Sequence, residues 1–414
     1  MNSMVIERGI PFYIVLSACL LVTLGDLRNV ITPLGYWALW GVVFLIGVTT
    51  GGLSKVFKDL TFLSATVGFA LLIFALLLVS IVNFEPYTAY QALKILLIYA
   101  LLIVLCANCS HLKIEHLYDI AAISTVMGFT VFVLCKYIFT EYYIQLGDGR
   151  QGSVFAYPGV LWKTNAFFVS FLIAKLLSGV TYKNLVPASL ILVSVFLLLA
   201  DSSRTGFLWF AIIIAAYASL MFVVNTAKLL SSIAVILFCA GLLAMFNLDI
   251  IYSFFDNNSL LVINRLFEGD PIRSKMIIDG VLNAEKCLPI GCGFQTSTSL
   301  VNGLPMVIHN VYLAILGDLG IFGEVGLLII VITPPLLFSL REWFGGATLK
   351  ATSYYKLAAI LGAACYCFVL LFHPLSSEMS EWGYWAIMLS WLSRLGRENA
   401  YTDSAPVSVA QANN

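Results

Sequence analysis

Four side chains have the type and the setting to handle a phosphate-bearing substrate: Arg204, Arg265, Arg273 and His309. Arg204 stands in Asp201-Ser202-Ser203-Arg204-Thr205-Gly206-Phe207-Leu208, at the start of an apolar run. A guanidinium keeps its charge at any physiological pH, and its planar fork fits phosphate oxygens. A helix N-terminus adds a further preference for anions. A snorkelling arginine paired with Asp201 accounts for the same residues as well as a ligand site does. Arg265 and Arg273 are eight residues apart with Glu268 and Asp270 between them, a spacing that also reads as a solvated loop salt bridge. His309 opens His309-Asn310-Val311-Tyr312-Leu313. Its ring titrates near neutrality and can take a proton from a hydroxyl, so it is a candidate general base, though a lone histidine at a helix start is more often structural.

Downstream of His309 come Gly317, Gly320 and Gly323, with Asp318 and Glu324 among them. Glycines at this spacing allow close backbone packing, while carboxylates inside an apolar run are costly unless paired or hydrated. Other signatures are missing. The sequence holds no Walker loop, no dinucleotide glycine fingerprint, no His-Glu-x-x-His and no Asp-x-Asp pair. His111 and His116 fall on the expected cytoplasmic side and His373 on the face of His309, so no metal site and no cofactor are expected. Most cysteines lie in apolar runs, whereas Cys287 and Cys292 flank a short loop and are able to pair in an oxidising compartment.

The elements that must position these groups are apolar helices. Of 414 residues 61% are hydrophobic and 11% charged, against about a quarter charged in a soluble domain. Apolar runs sit near 9–25, 33–51, 60–83, 92–107, 117–138, 160–179, 185–200, 205–224, 229–247, 310–340, 355–372 and 381–396. They are too long for membrane β-strands and predict an all-α polytopic bundle of about twelve helices. The N-terminal run has the outline of a signal peptide, but it continues past Cys19 without a polar mature start and is read as a retained first helix. Helices one to nine are expected over 1–247, a long outer loop over 248–308, helices ten to twelve over 309–396, and a disordered cytoplasmic tail over 397–414. Within the loop, Arg273 to Lys286 reads as an amphipathic helix with Met276, Ile277, Ile278, Val281 and Leu282 on its apolar side, suited to a membrane interface.

With the N-terminus inside, twelve of twenty-two cations face the cytoplasm, at least one in every cytoplasmic loop. The other ten are Arg28, Lys94, Lys136, Arg150, Lys163, Arg204, Arg265, Arg273, Lys275 and Lys286, at outer helix ends and in the long loop. A formal net charge of zero gives no reason to expect nucleic acid as a partner.

Taken in order, these pieces resemble one family, the bacterial O-antigen ligases and the related O-antigen polymerases. Their pattern of His-Asn, nine residues and Gly-x-x-Gly is similar to His309-Asn310 followed by Gly320-Ile321-Phe322-Gly323. Their Arg-x3-Leu at a helix start looks like Arg204 to Leu208. Their loop arginine, amphipathic helix and Pro-x-x-Gly-x-Gly turn resemble Arg273, the helix after it, and Pro289-Ile290-Gly291-Cys292-Gly293, which is one residue shorter between the proline and the first glycine. Arg273 is followed here by Ser-Lys-Met-Ile, where the family carries an aromatic-containing stretch. The likeness covers roughly 200–325. It implies a metal-independent, inverting glycosyltransferase of the GT-C type in the bacterial inner membrane, acting at the periplasmic face on a glycan carried by undecaprenyl diphosphate. The acceptor would be the lipid A core oligosaccharide for a ligase and a second lipid-linked glycan for a polymerase. His309, Arg204 and Arg273 would be catalytic, with Arg265, Tyr312, Asn310, Asp201 and Asp318 binding or orienting the substrates. A transporter of lipid-linked oligosaccharide is a different class of reading; the lack of an internal repeat and of charges along a path argues against it.

Overall fold

The computed structural model describes residues 8–146, 149–159, 161–178, 184–224, 230, 233, 271–344, 351–374 and 377–402. Among them the chain is largely helical. The first half gives α1 (Ile10–Thr23), α2 (Arg28–Thr49), α3 (Leu60–Val82), α4 (Pro86–Cys109) and α5 (Ile114–Tyr137). A small antiparallel hairpin, β1 (Tyr143–Gln145) and β2 (Gln151–Ser153), leads to α6 (Leu161–Ser178), α7 (Leu185–Asp201) and α8 (Arg204–Val224). Then follow α9 (Pro271–Cys287), a second hairpin of β3 (Thr298–Val301) and β4 (Leu304–Val307), α10 (Val311–Phe344), α11 (Ala351–Val369) and α12 (Met379–Thr402).

Eleven of the twelve expected apolar segments fall on a helix, and the segment 229–247 lies outside the described residues except for Leu230 and Ile233, which are helical. Among the described residues six helical stretches are long and apolar enough to cross a membrane: Gly25–Thr49, Leu60–Val82, Pro86–Cys109, Ile114–Tyr137, Arg204–Phe222 and Val311–Glu342. The chain is thus an all-α membrane-embedded protein. The expected tail from 397 is helical as far as Thr402, because α12 runs on past Arg397.

Burial explains the order of the bundle. α12 carries Trp382, Trp385 and Trp391, all fully buried, and α6 sets Phe167 and Phe171 against Trp391 at ring separations of 4.9 and 4.5 Å. Such rings are large apolar surfaces with favourable edge and tilted contacts, so α6 and α12 form the centre although neither is the most apolar helix. The ends are tied by polar pairs. Asp59 caps α3 by accepting from the Thr61 N–H at 3.0 Å, and also lies 4.0 Å from Arg397. Arg8 meets Asp119 at 3.1 Å on the same end. At the opposite end Lys94 meets Glu378 at 2.7 Å, and Arg150 meets Asp201 at 3.2 Å. Arg8 and Arg397 thus lie at one end of the bundle, Lys94 and Arg150 at the other.

The long helix α10 is broken once, at Gly320, where φ is 65° and ψ is −160°. The break frees the carbonyls of the preceding turn, and the chain after α9 takes them up. Cys292 N–H donates to Gly317 O and Gly293 N–H to Asp318 O, both at 3.0 Å, while Ile321 N–H donates to Pro289 O at 3.0 Å. The backbones approach so closely that a Cβ on Gly320 would lie 2.1 Å from Pro289 O. A disulfide between Cys287 and Cys292 closes this turn.

Replacing Gly320 by alanine is expected to cost about 2–4 kcal/mol, from the disfavoured φ and the overlap with Pro289. Gly41→Ala, where nothing lies within 4 Å of the new Cβ, serves as the neutral comparison. Thermal melting of both variants in detergent checks this; equal melting temperatures would contradict it.

Candidate functional site

The locked turn positions α9, and α9 carries Arg273 in its first turn. Met276, Gly280 and Ala284, spaced four apart, are the buried face of α9. Ile277, Ile278, Val281 and Leu282 are exposed on another side, so the expected apolar side is divided, with Met276 turned inward. The β3–β4 hairpin runs along this helix: Lys275 Nζ donates to Leu300 O at 2.6 Å, Asn283 Nδ2 to Thr298 O at 2.9 Å, and Ser299 Oγ to Asp279. Arg273 places its guanidinium over the ring of Phe372, 5.8 Å from the centroid. This contact brings the loop helix to the turn that follows α11.

That turn also receives the start of α10. Val311 N–H donates to Leu370 O at 2.9 Å, and Tyr312 Oη donates to Cys367 O at 3.0 Å. The two bonds set His309 beside residues 370–373. His309 Nδ1 lies 2.9 Å from Val307 O. A neutral ring that donates from Nδ1 carries its lone pair on Nε2, the arrangement a general base needs.

Arg150 comes from the hairpin packed on α5 and α7. It follows the β1–β2 turn and grips the end of α7, with Nε donating to Asp201 O at 3.1 Å and Nη2 to Asp201 Oδ1 at 3.2 Å. Asp201 is fully buried and also accepts from Gly159 N–H. Asp201 thus ties the β1–β2 connection to the end of α7 through Arg150. Arg204 itself opens α8 three residues later, after Ser202 has taken a left-handed conformation (φ 51°) that ends α7. Ser203 Oγ accepts from Gly206 N–H at 3.3 Å and helps to start α8. α8 is then fixed against α11 by Trp209, stacked 5.4 Å from Phe368.

His373 lies where these elements meet. Burial, and after it the nearness of Lys163, Arg273, His309 and Arg150, holds its ring well below its usual value of 6.5. A neutral imidazole is therefore surrounded by cations drawn from α6, α9 and the β1–β2 connection, with His309 at the start of α10 beside them. Next to it a cavity is lined by Asp26, Arg28, Lys163, Tyr366, Ser380 and Glu381, with His373 on its wall.

Of the residues singled out from sequence, Arg273 and His309 converge here. Arg265, with Glu268 and Asp270, lies outside the described residues. Asn310 caps α10 through Oδ1, which accepts from Leu313 N–H at 3.1 Å. Asp318 is a clamp: its carboxylate accepts from the N–H groups of Gln295 at 2.6 Å and Ser297 at 2.7 Å, and so holds the turn after α9. Arg150, Lys163 and His373 were known only as outer-side residues, and nothing local in the sequence marks them. Among the described residues no group of three or more His, Cys, Asp or Glu side chains gathers to hold a metal ion. In comparison with known proteins, no family model and no curated protein matches the chain.

The depressed His373 sets a pH dependence. The unfolded chain binds this proton from about pH 6.5 downward and the folded chain does not, so stability must fall as pH drops through 6.5 toward the folded value. The slope is at most about 1.4 kcal/mol per pH unit. His373→Gln is expected to flatten the decline in melting temperature between pH 7.5 and 5.5; parallel curves for variant and parent would refute the assignment.

Proposed function

We propose that the chain is a membrane-embedded glycosyltransferase that takes a glycan from undecaprenyl diphosphate and joins it to the lipid A core oligosaccharide, as O-antigen ligases do. The reaction would occur at the periplasmic face of a bacterial inner membrane, the face of α9 and the two hairpins. The observation that carries this reading is the gathering of Arg273, Arg150, Lys163 and His309 around His373 at one end of an apolar bundle. A site of that kind matches a substrate whose reactive bond joins a sugar to a diphosphate and whose remainder is lipid.

In the proposed reaction an acceptor hydroxyl attacks the anomeric carbon as the bond from that carbon to the phosphate oxygen breaks. The electron pair leaves with undecaprenyl diphosphate, and the hydroxyl proton passes to Nε2 of His309. Attack from the face opposite the leaving group inverts the anomeric centre. Negative charge grows on the diphosphate, and fixed guanidinium groups stabilise it without reorganising, which matters more in a poorly hydrated site than in water. Arg273 and Arg204 take that role, with Arg265 a third candidate. Asp201 acts through Arg150, Asn310 and Tyr312 fix the start of α10 under His309, and Asp318 keeps α9 in register.

Arg273→Ala, Arg204→Ala and His309→Ala are each expected to lower transfer at least a hundredfold while leaving the amount of membrane-inserted protein unchanged. The measurement is transfer of glycan from purified lipid-linked donor to core lipopolysaccharide by purified protein in detergent, with no ion gradient. Near-normal transfer in any of the three would sink that residue's assignment. Accumulated lipid-linked polymer in a deletion strain indicates ligation; a single repeat unit left on the core indicates polymerisation.

A further inference from the structure

The cavity beside His373 has a chemistry unlike that of the cation cluster. Its charged walls are two carboxylates, Asp26 and Glu381, and two cations, Arg28 and Lys163. Arg273 and His309 are not among its walls, so His373 and Lys163 form the boundary between the two regions. The cavity also holds two orphaned hydroxyls: Tyr366 Oη and Ser380 Oγ are buried and hydrogen-bond to no atom of the described residues, and Tyr366 is only 3% exposed. Buried hydroxyls in folded proteins almost always have a partner, and each such exception asks for an explanation. Asp26 is held in place, since its Oδ2 accepts from Tyr157 N–H at 2.8 Å and its own N–H donates to Phe155 O at 3.1 Å. Tyr384, another wall residue, is fixed by donating from Oη to Lys163 O at 2.8 Å.

We infer that this cavity binds a neutral sugar residue of the acceptor through its hydroxyl groups, an inference that rests on the glycosyl-transfer reading. Carboxylates and cationic groups in equal number, with two orphaned hydroxyls, suit a ligand whose groups each donate and accept. They do not suit a diphosphate, which Asp26 and Glu381 would repel. Inversion puts the nucleophile and the leaving group on opposite faces of the anomeric carbon. An acceptor seated in the cavity presents its hydroxyl across the His373 boundary to a donor held by Arg273.

Two variants that each remove one oxygen, Tyr366→Phe and Ser380→Ala, test this. Initial rates of the purified full chain are measured against core lipopolysaccharide as acceptor and, separately, against lipid-linked donor. Each variant is expected to raise the acceptor KM about three- to tenfold, the worth of one neutral hydrogen bond, with the donor KM and kcat within about twofold of the parent. An unchanged acceptor KM in both variants, or a rise in the donor KM instead, overturns the inference. Melting temperature tells a packing defect from a lost ligand contact, because removing an orphaned hydroxyl should leave it unchanged or higher. If the unmodified chain joins no glycan to the acceptor, the glycosyl-transfer reading fails first. Binding of fluorescently labelled core oligosaccharide then decides the cavity: binding weakened by Tyr366→Phe supports it, and no binding to the unmodified chain overturns it.

Discussion

The structure at this end of the bundle depends on one broken helix. A membrane helix satisfies its backbone internally, and a break inside it leaves carbonyls that must find donors, because lipid offers none. In α10 the break at Gly320 releases the carbonyls of Gly317 and Asp318, and the N–H groups of Cys292 and Gly293 meet them. The exchange is reciprocal, since Ile321 N–H returns to Pro289 O. Side chains add to it: Asp318 gathers the N–H groups of Gln295 and Ser297, and Asn83 Nδ2 donates to Gly291 O at 3.2 Å from the end of α3. With Cys287 and Cys292 joined, α9 leaves this turn in a fixed direction, and Arg273 reaches Phe372 at its far end.

This dependence gives the spacing of the motifs a physical meaning. Glycine is needed at 320 because the chain turns there with positive φ and meets the backbone of Pro289 and Ile290, and at 291 because a Cβ would lie 2.4 Å from Asp318 O. The His-Asn pair stands at the other end of the same helical segment, where Asn310 caps it and Val311 ties it to Leu370. The glycine motif and the histidine are thus two ends of one short helix, one end docked to the loop helix and the other to the turn after α11. A shift at the glycines would move Arg273 and His309 together.

Much of this was legible in the sequence. Helix-length apolar runs fixed the class of fold, Pro289 and the glycines marked the turn, and Arg273 and His309 stood out by residue type. The β3–β4 hairpin was overlooked although its signal is present, since Asn302-Gly303 between Val301 and Leu304 is the dipeptide that tight hairpins favour, with φ of 52° and 81°. That Arg150 is a partner of Asp201 was not legible, because the two stand fifty-one residues apart and only the folded chain brings them together. His373 was similarly silent, because its surroundings come from four separate parts of the chain.

The two histidines are set apart by what surrounds them, and this limits what each can do. A ring kept neutral by burial and by neighbouring cations cannot itself bind an anion by charge, so His373 leaves that work to the guanidinium groups around it. A neutral imidazole still carries one donor and one acceptor nitrogen, a match for uncharged hydroxyls, and this one stands on the wall of the adjoining cavity. His309 is anchored by the backbone of Val307 and directed by the capped start of α10. Its position is therefore fixed by the same lock that fixes Arg273, whereas His373 moves with α11 and the turn leading to α12. A site divided in this way lets phosphate recognition and hydroxyl recognition rest on different parts of the bundle, joined where the reacting atoms would have to meet.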